Sequence, residues 1–275
     1  MILTIAHETI YRYDQPMRAL VQSHRLTPAR FAAQDVVQWD VEVRANEGAR
    51  VVQGSGFRDG AGDWVQGCTI AGPLTEVHVA VRGKVETRDL SGVLRGHRER
   101  VRPEVYLRPT AATGADVAIS ELAHAACAGH DVPLDRAHAL ARAVQEAVAY
   151  RPGATGSHTT AAESLALGEG VCQDHAHLLI AAALCVEMPA RYVSGYLQAS
   201  EDGSPHEAAH AWAELWVEGL GWVGFDASNG VCPDERYVRL GSGRDAREAA
   251  PIRGIARGLG HEHLDVSVAV DLVHQ

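Results

Sequence analysis

The sequence predicts an α+β protein. An all-β, sandwich-like N-terminal domain spans residues 1–105, and a core of helices packed on an antiparallel sheet spans 106–275. Three observations carry this. Residues 1 to about 105 keep returning to alternating or β-branched segments, at Leu3-Thr4-Ile5, Val41-Glu42-Val43, Asp63-Trp64-Val65 and Val77–Val81. Gly54-Ser55-Gly56 and Asp59-Gly60-Ala61-Gly62 break them as hairpin turns would. After Pro103 the period changes: residues 116–128 and 134–150 are alanine-rich, with apolar side chains at three- and four-residue steps. In the second segment Ala137, Leu140, Ala141, Val144 and Val148 form one stripe just after Pro133. A third helix is expected from about Cys172, burying Ala176, Leu179, Ile180, Ala183 and Leu184 and ending at Pro189. Strands follow near 190–197, 210–217, 222–227 and 263–272.

Composition narrows the partners. With 25 Lys+Arg against 35 Asp+Glu the formal charge is −10, so the chain lacks the basic footprint that nucleic acid or an anionic membrane requires. Five cysteines at scattered spacings form neither a CxxC pair nor a disulfide framework. The opening residues lack a basic segment followed by an apolar run, and no stretch reaches 18 apolar residues. A soluble, cytoplasmic protein is expected, and the oligomeric state is left open.

The chemistry concentrates at Gly168-Glu169-Gly170-Val171-Cys172-Gln173-Asp174-His175. The glycines allow a sharp turn, and Cys172 then opens an apolar helix. Unpaired N–H groups and the positive end of the helix dipole favour a thiolate there, and can also hold an oxyanion on an attacked carbonyl. The bland alternative is a small buried hydrophobe.

A nucleophilic thiol needs a base, and the base needs an orienting group. His210 opens the segment His210–Trp216, and Asp226 closes Trp222–Asp226 after a Gly219-Leu220-Gly221 turn. The two lie 16 positions apart, so they share a face of an antiparallel pair only if the connecting loop is odd in length. Read singly, His210 is a strand residue and Asp226 a turn former; Cys172 makes the combination informative.

The blocks GEGVCQDHAHLL, PARYVSGYL and HAWAELWVEGLGWVGFDASN, with CPDERYVRLGSGRDAREAAPIRG, resemble the transglutaminase-like superfamily, whose core has the papain-like cysteine-protease arrangement. HETIYRYDQP and RLTPAR resemble the N-terminal β-domain of its bacterial branch, so the likeness covers nearly the whole chain. The resemblance implies that Cys172 is the nucleophile, His210 the general acid/base and Asp226 the carboxylate that orients it. The implied reaction is acyl transfer on a carboxamide or peptide bond through a thioester, giving transamidation or hydrolysis on a protein or peptide substrate without a metal or other cofactor. A peptidase or amidase of the same fold is the alternative, and a non-catalytic scaffold the rival class. Two positions depart from the pattern. His175 stands where relatives carry Phe or Tyr, and Ala-Ser follows Asp226 where Pro-Thr is usual. The oxyanion-stabilising tryptophan of eukaryotic transglutaminases has no upstream counterpart, leaving Tyr150 or the Gln173 backbone as stand-ins.

Competing readings attach to several residues. Cys172, His175 and His177, with His206 and His210, suggest zinc, but i, i+3 and i+5 on one helix converge poorly. Cys185 lies about 220° around the helix from Cys172 and reads as packing; Cys68, Cys127 and Cys232 read as inert thiols. Trp212, Trp216 and Trp222 line an acyl groove or cover the sheet. Arg191 reads as a structural ion pair.

Overall fold

The computed structural model describes residues 1–198 and 208–273. In chain order the strands are β1 (Ile2–His24), β2 (Gln34–Ala45), β3 (Arg50–Arg58) and β4 (Trp64–Thr87). A 3-10 turn (Pro103–Leu107) leads to α1 (Val117–Cys127), α2 (Pro133–Ala147), β5 (Ala149–Tyr150), α3 (Ala161–Leu167), β6 (Glu169–Gly170) and α4 (Cys172–Cys185). Then come β7 (Ala190–Leu197), β8 (Ala209–Val217), β9 (Gly221–Phe225), β10 (Tyr237–Gly243), β11 (Ile252–Arg257) and β12 (Glu262–Leu272).

The N-terminal region is built on two long strands. β1 alternates buried and exposed residues along much of its length, the mark of a sheet with one covered face. It runs antiparallel to β4, with the register shifting between Arg12 and Ala19. On one side of the shift the order is β12-β1-β4-β2; on the other, β11-β1-β4-β3. Tyr11, Val43, Val79 and Val81 from the first half share one apolar cluster with Leu20, Cys68 and Ile70 from the second. The two halves of the bent sheet therefore cover one apolar cluster between them, in the sandwich-like manner the sequence suggested.

The strand expected over 263–272 is present as β12, but it pairs with β1 rather than with the core sheet. β11 joins β1 as well. The chain thus returns, after the core, to the sheet in which it began. Strand pattern alone does not specify which edge a strand joins, because an open edge of either sheet offers the same backbone partners.

The core sheet has the order β10-β7-β8-β9, all antiparallel. Ala211, Ala213, Leu215 and Val217 of β8 pack with Leu179, Ala182 and Ala183 of α4 in one cluster, which also takes Ile119 of α1, Leu140 and Val144 of α2, and Ala161 of α3. Helix α4 is buried almost all round, so it forms the middle of the core rather than an amphipathic cover. Two local features were not anticipated. The segment read as helix through 150 ends at Ala147, and Ala149–Tyr150 pairs in parallel with Glu169–Gly170. Helix α3 begins at a capping box in which Thr160 Oγ1 accepts from the Glu163 N–H while the Glu163 carboxylate accepts from the Thr160 N–H.

A chain of buried charges joins the N-terminal region to the core. Asp63, just before β4, accepts from Arg239 of β10 at 2.6 Å; Arg239 donates to Glu214 of β8 at 2.8 Å; Glu214 accepts from Arg191 of β7 at 2.7 Å. Arg191 also pairs with Glu99 of the linking segment and lies 4.0 Å from the Trp222 ring centre. The structural ion pair expected at Arg191 is one link of this chain. Burial opposes ionisation of Glu214, but the two guanidiniums outweigh it and hold its pKa at about 2. Its stabilisation is therefore complete above the ordinary 4.5 and lost as pH falls through about 2. Glu214→Gln, which leaves two buried guanidiniums underpaired, is expected to cost ~3–5 kcal/mol in urea unfolding at neutral pH. It should also flatten the acid loss in that window.

Candidate active site

Cys172 is the first residue of α4 and is 8% exposed. The turn ahead of it is built for that position. Gly168, at φ +70, caps the end of α3, a left-handed conformation that glycine adopts without penalty. Gly170 has no room for a side chain, since a Cβ there would lie 2.7 Å from the Asp174 Cβ. Asp174 Oδ2 accepts from the Val171 N–H at 2.8 Å and from Thr155 Oγ1 at 2.5 Å, which pins the first turn of the helix. The N–H groups of Cys172 and Gln173, in the first turn, have no intrahelical acceptor and face outward along the axis.

The hairpin β8–β9 supplies the other two groups. Val217 pairs with Gly221, leaving the three-residue turn Glu218-Gly219-Leu220. That odd length is the condition under which His210 and Asp226 share a face, and they do. His210 Nε2 donates to Asp226 Oδ2 at 2.6 Å. Cys172 lies close enough to the same ring to act on its charge, and Nδ1 is the nitrogen not bonded to Asp226. Burial disfavours the imidazolium, but Asp226 and Cys172 outweigh this and push the ring up to about 10. Burial likewise disfavours the Asp226 carboxylate, yet His210, Ser228 and Asn229 hold it down at about 2. At neutral pH the site therefore contains a buried imidazolium paired with a buried carboxylate. Chemically, it sets a thiol beside a charged acid/base group at the positive end of a helix.

The remaining sequence candidates fall at different distances from this cluster. The β5–β6 pairing sets Tyr150 opposite Gly170, two residues ahead of Cys172, with its ring 6.2 Å from that of His175. Gln173 Nε2 donates to Ser157 O at 3.4 Å. Trp212 is 3% exposed and forms one wall of a partly enclosed cavity shared with Gly224, Pro233 and Tyr237. It stacks under His210 with ring centres 6.4 Å apart and lies over the bare backbones of Gly195 and Gly224. Trp216 and Trp222 face each other across the hairpin at 5.4 Å, covering the sheet. The ring nitrogens of His175 lie 3.0 Å from Val171 O and 2.9 Å from Val148 O, and His177 Nε2 accepts from the Ala246 N–H at 3.0 Å. Both rings are thus engaged with backbone, while His206 lies outside the described residues.

Four residues around the site were not singled out from the sequence. Ser228 and Asn229 donate to Asp226, and Tyr237 donates to Asp226 Oδ2 at 2.8 Å. Asp-Ala-Ser-Asn is itself a turn signal, so the first two were findable; Tyr237 has no local signal. The fourth, Tyr192 of β7, is buried close to Cys172, Asp174 and Asp245. Burial first, then its neighbours Cys172, Asp174 and Asp245, raise its pKa well above the ordinary value, so the phenol keeps its proton.

Residues 120–227 match the model of the transglutaminase-like superfamily, and residues 3–86 match that of the bacterial transglutaminase-like N-terminal region. The uncharacterized protein ML0607 of Mycobacterium leprae is 32% identical over 281 residues, covering 98% of either chain. The uncharacterized protein Rv2569c of Mycobacterium tuberculosis is 37% identical over 145 residues, 49% of this chain and 45% of its own. Among solved structures, a candidate cysteine protease from Cytophaga hutchinsonii superposes with a TM-score of 0.73 over all of this chain and 92% of its own. At 22% identity that likeness speaks for the fold alone. A relative matched along nearly its full length, and both halves recognised in order, place this chain in the transglutaminase-like superfamily, in the form that carries the bacterial N-terminal region.

Proposed function

We propose that the protein is a cysteine-dependent acyltransferase or hydrolase acting on a carboxamide or peptide bond of a protein or peptide. The observation that carries this reading is the buried His210–Asp226 hydrogen bond set beside Cys172 at the start of α4. In this reading the Cys172 thiolate attacks the carbonyl carbon. The carbonyl electron pair moves onto oxygen, and the first N–H groups of α4 receive that oxyanion. His210 passes its Nδ1 proton to the departing nitrogen as the tetrahedral intermediate collapses, releasing ammonia or an amine and leaving a thioester on Cys172. Neutral His210 then takes a proton from water or an incoming amine, which attacks the thioester and releases Cys172. Asp226 stabilises the imidazolium at both steps and holds its orientation. A cytoplasmic setting fits the reading, because a reducing compartment keeps Cys172 a free thiol. Among the described residues, no helix is long and apolar enough to cross a membrane.

The rival reading, a scaffold that retains the fold, has no use for a charged histidine buried beside a thiol. Brief iodoacetamide treatment near neutral pH, followed by peptide mapping, is expected to label Cys172 ahead of the other four cysteines. His210→Ala should slow that labelling by about 100-fold or more. Equal, slow labelling of all five would refute the catalytic reading.

The reaction is assayed by ammonia release from a glutamine-containing peptide, with and without a primary amine. Transamidation predicts incorporation of the amine, hydrolysis predicts ammonia alone, and a peptidase predicts new chain termini. In each case Cys172→Ala abolishes the product. Turnover should fall off on the alkaline side near pH 10, where His210 loses its proton. Asp226→Asn should move that limb down towards 6.5, because the ring loses its anionic partner.

A further inference from the structure

Asp226 sits at the end of β9, one edge of the core sheet, while Tyr237 opens β10 at the other edge, with β7 and β8 between them. Yet Tyr237 Oη donates to Asp226 Oδ2 at 2.8 Å, the same oxygen that accepts from His210 at 2.6 Å. The reach depends on missing side chains. A Cβ on Gly195 would meet the Trp212 ring at 2.6 Å, and one on Gly224 would lie 3.4 Å from Trp212 Nε1. Trp212 lies in that space, and Tyr237 stands edge-on to it with ring centres 5.5 Å apart. Asp226 is 1% exposed, so a donor lost from it is not replaced by bulk water.

β10 is in turn held by the N-terminal β region. Gln34, 1% exposed and the first residue of β2, accepts from the Arg239 N–H at 2.7 Å and donates to Arg239 O at 2.9 Å. Thr87, the last residue of β4, donates to Glu235 O just ahead of β10. Leu3, Ile5 and Val85 pack with Val238 and Leu240 on the same strand.

We propose that Tyr237 is a positioning residue for the acid/base pair, and that the N-terminal β region acts on the active site by fixing β10 and hence Tyr237. The phenol holds the Asp226 carboxylate with Oδ2 turned to His210 Nε2. The proposal rests on reading His210 and Asp226 as the working pair, but its test does not require turnover.

The test follows the His210 ring by NMR titration in the full chain. Tyr237→Phe keeps the ring packed on Trp212 and removes only the hydroxyl. The expected result is a His210 midpoint lowered from about 10 by about one pH unit, as the freed carboxylate turns away. Where a turnover assay is in hand, kcat should fall about tenfold at unchanged KM. Gln34→Met should shift the midpoint in the same direction by less, and add nothing in the Tyr237→Phe background. If Gln34→Met does not fold, Thr87→Val replaces it with the same expectation. An unchanged or raised midpoint in Tyr237→Phe overturns the positioning role. Full additivity with Gln34→Met, or no shift from it, overturns the link to the N-terminal region. If His210 titrates as proposed but no thiol chemistry is found at Cys172, the catalytic reading fails while the positioning role stands.

Discussion

Glu214 is the point through which the separate parts of this molecule are held in one arrangement. It lies on β8, four residues beyond His210, and receives Arg191 from β7 and Arg239 from β10. Through Arg239 it reaches Asp63 at the start of β4, and through Arg191 it reaches Glu99 in the linking segment. Three of the four core strands and both segments of the N-terminal half therefore meet at one carboxylate. A buried charge pair is a poor source of net stability, because desolvation offsets most of the attraction. Its strength lies in what it forbids: sliding β7 against β8 or β10 would strand a charge in the interior. The network reaches β9 through Trp222, which lies under Arg191 and donates to Glu99, so the strands that carry His210 and Asp226 are both tied to it. Arg191 shows the cost of the arrangement. Its Nη2 has no hydrogen-bond partner among the described residues and lies instead against aromatic rings.

The sequence made the local parts legible and left the long-range ones hidden. Cys172 was readable because a glycine-flanked helix start is a short-range feature, contained within eight residues. The turn between His210 and Asp226 was readable as a condition, since parity depends only on loop length, and the three-residue turn satisfies it. Helix α3 was readable and missed; its capping box, Thr160 with Glu163, is a recognised start signal hidden in a Gly/Ser/Thr-rich stretch. By contrast, nothing near residue 265 says that β12 joins β1, nor near residue 237 that a phenol crosses two strands to reach Asp226. Those contacts join residues far apart in the chain or on opposite sheet edges, and their information is shared among elements that each look ordinary alone.

The tryptophans illustrate the same division. Parity placed Trp212, Trp216 and Trp222 on one side of the hairpin, but parity does not say whether that side is open. It is largely covered. The linker supplies Glu99 to Trp222, and β10 supplies Tyr237 to Trp212. Trp212 consequently serves as a floor beneath His210. A flat, rigid surface there limits the ring rotation that would break the imidazole's bond to Asp226.

Burial explains why so many groups converge on one carboxylate. In water, a histidine–aspartate contact is weak and the two charges are stabilised separately. Once Asp226 is 1% exposed, its charge persists only if donors replace the lost water. The loop 226–231 closes through the Asp226–Val231 backbone pair and returns the Ser228 and Asn229 donors to Oδ1 and Oδ2. Tyr237 and His210 complete the shell. A carboxylate so enclosed cannot follow the histidine if the ring moves, so the proton on His210 is held in one place. The loop that follows Asp226 differs from the usual Pro-Thr at Ala-Ser, and the serine hydroxyl, at 2.6 Å from Oδ1, does the work of a donor there. Ser228 thus offers the same kind of hydroxyl that a threonine would at that position, so the departure from the family pattern keeps a donor on the enclosed charge.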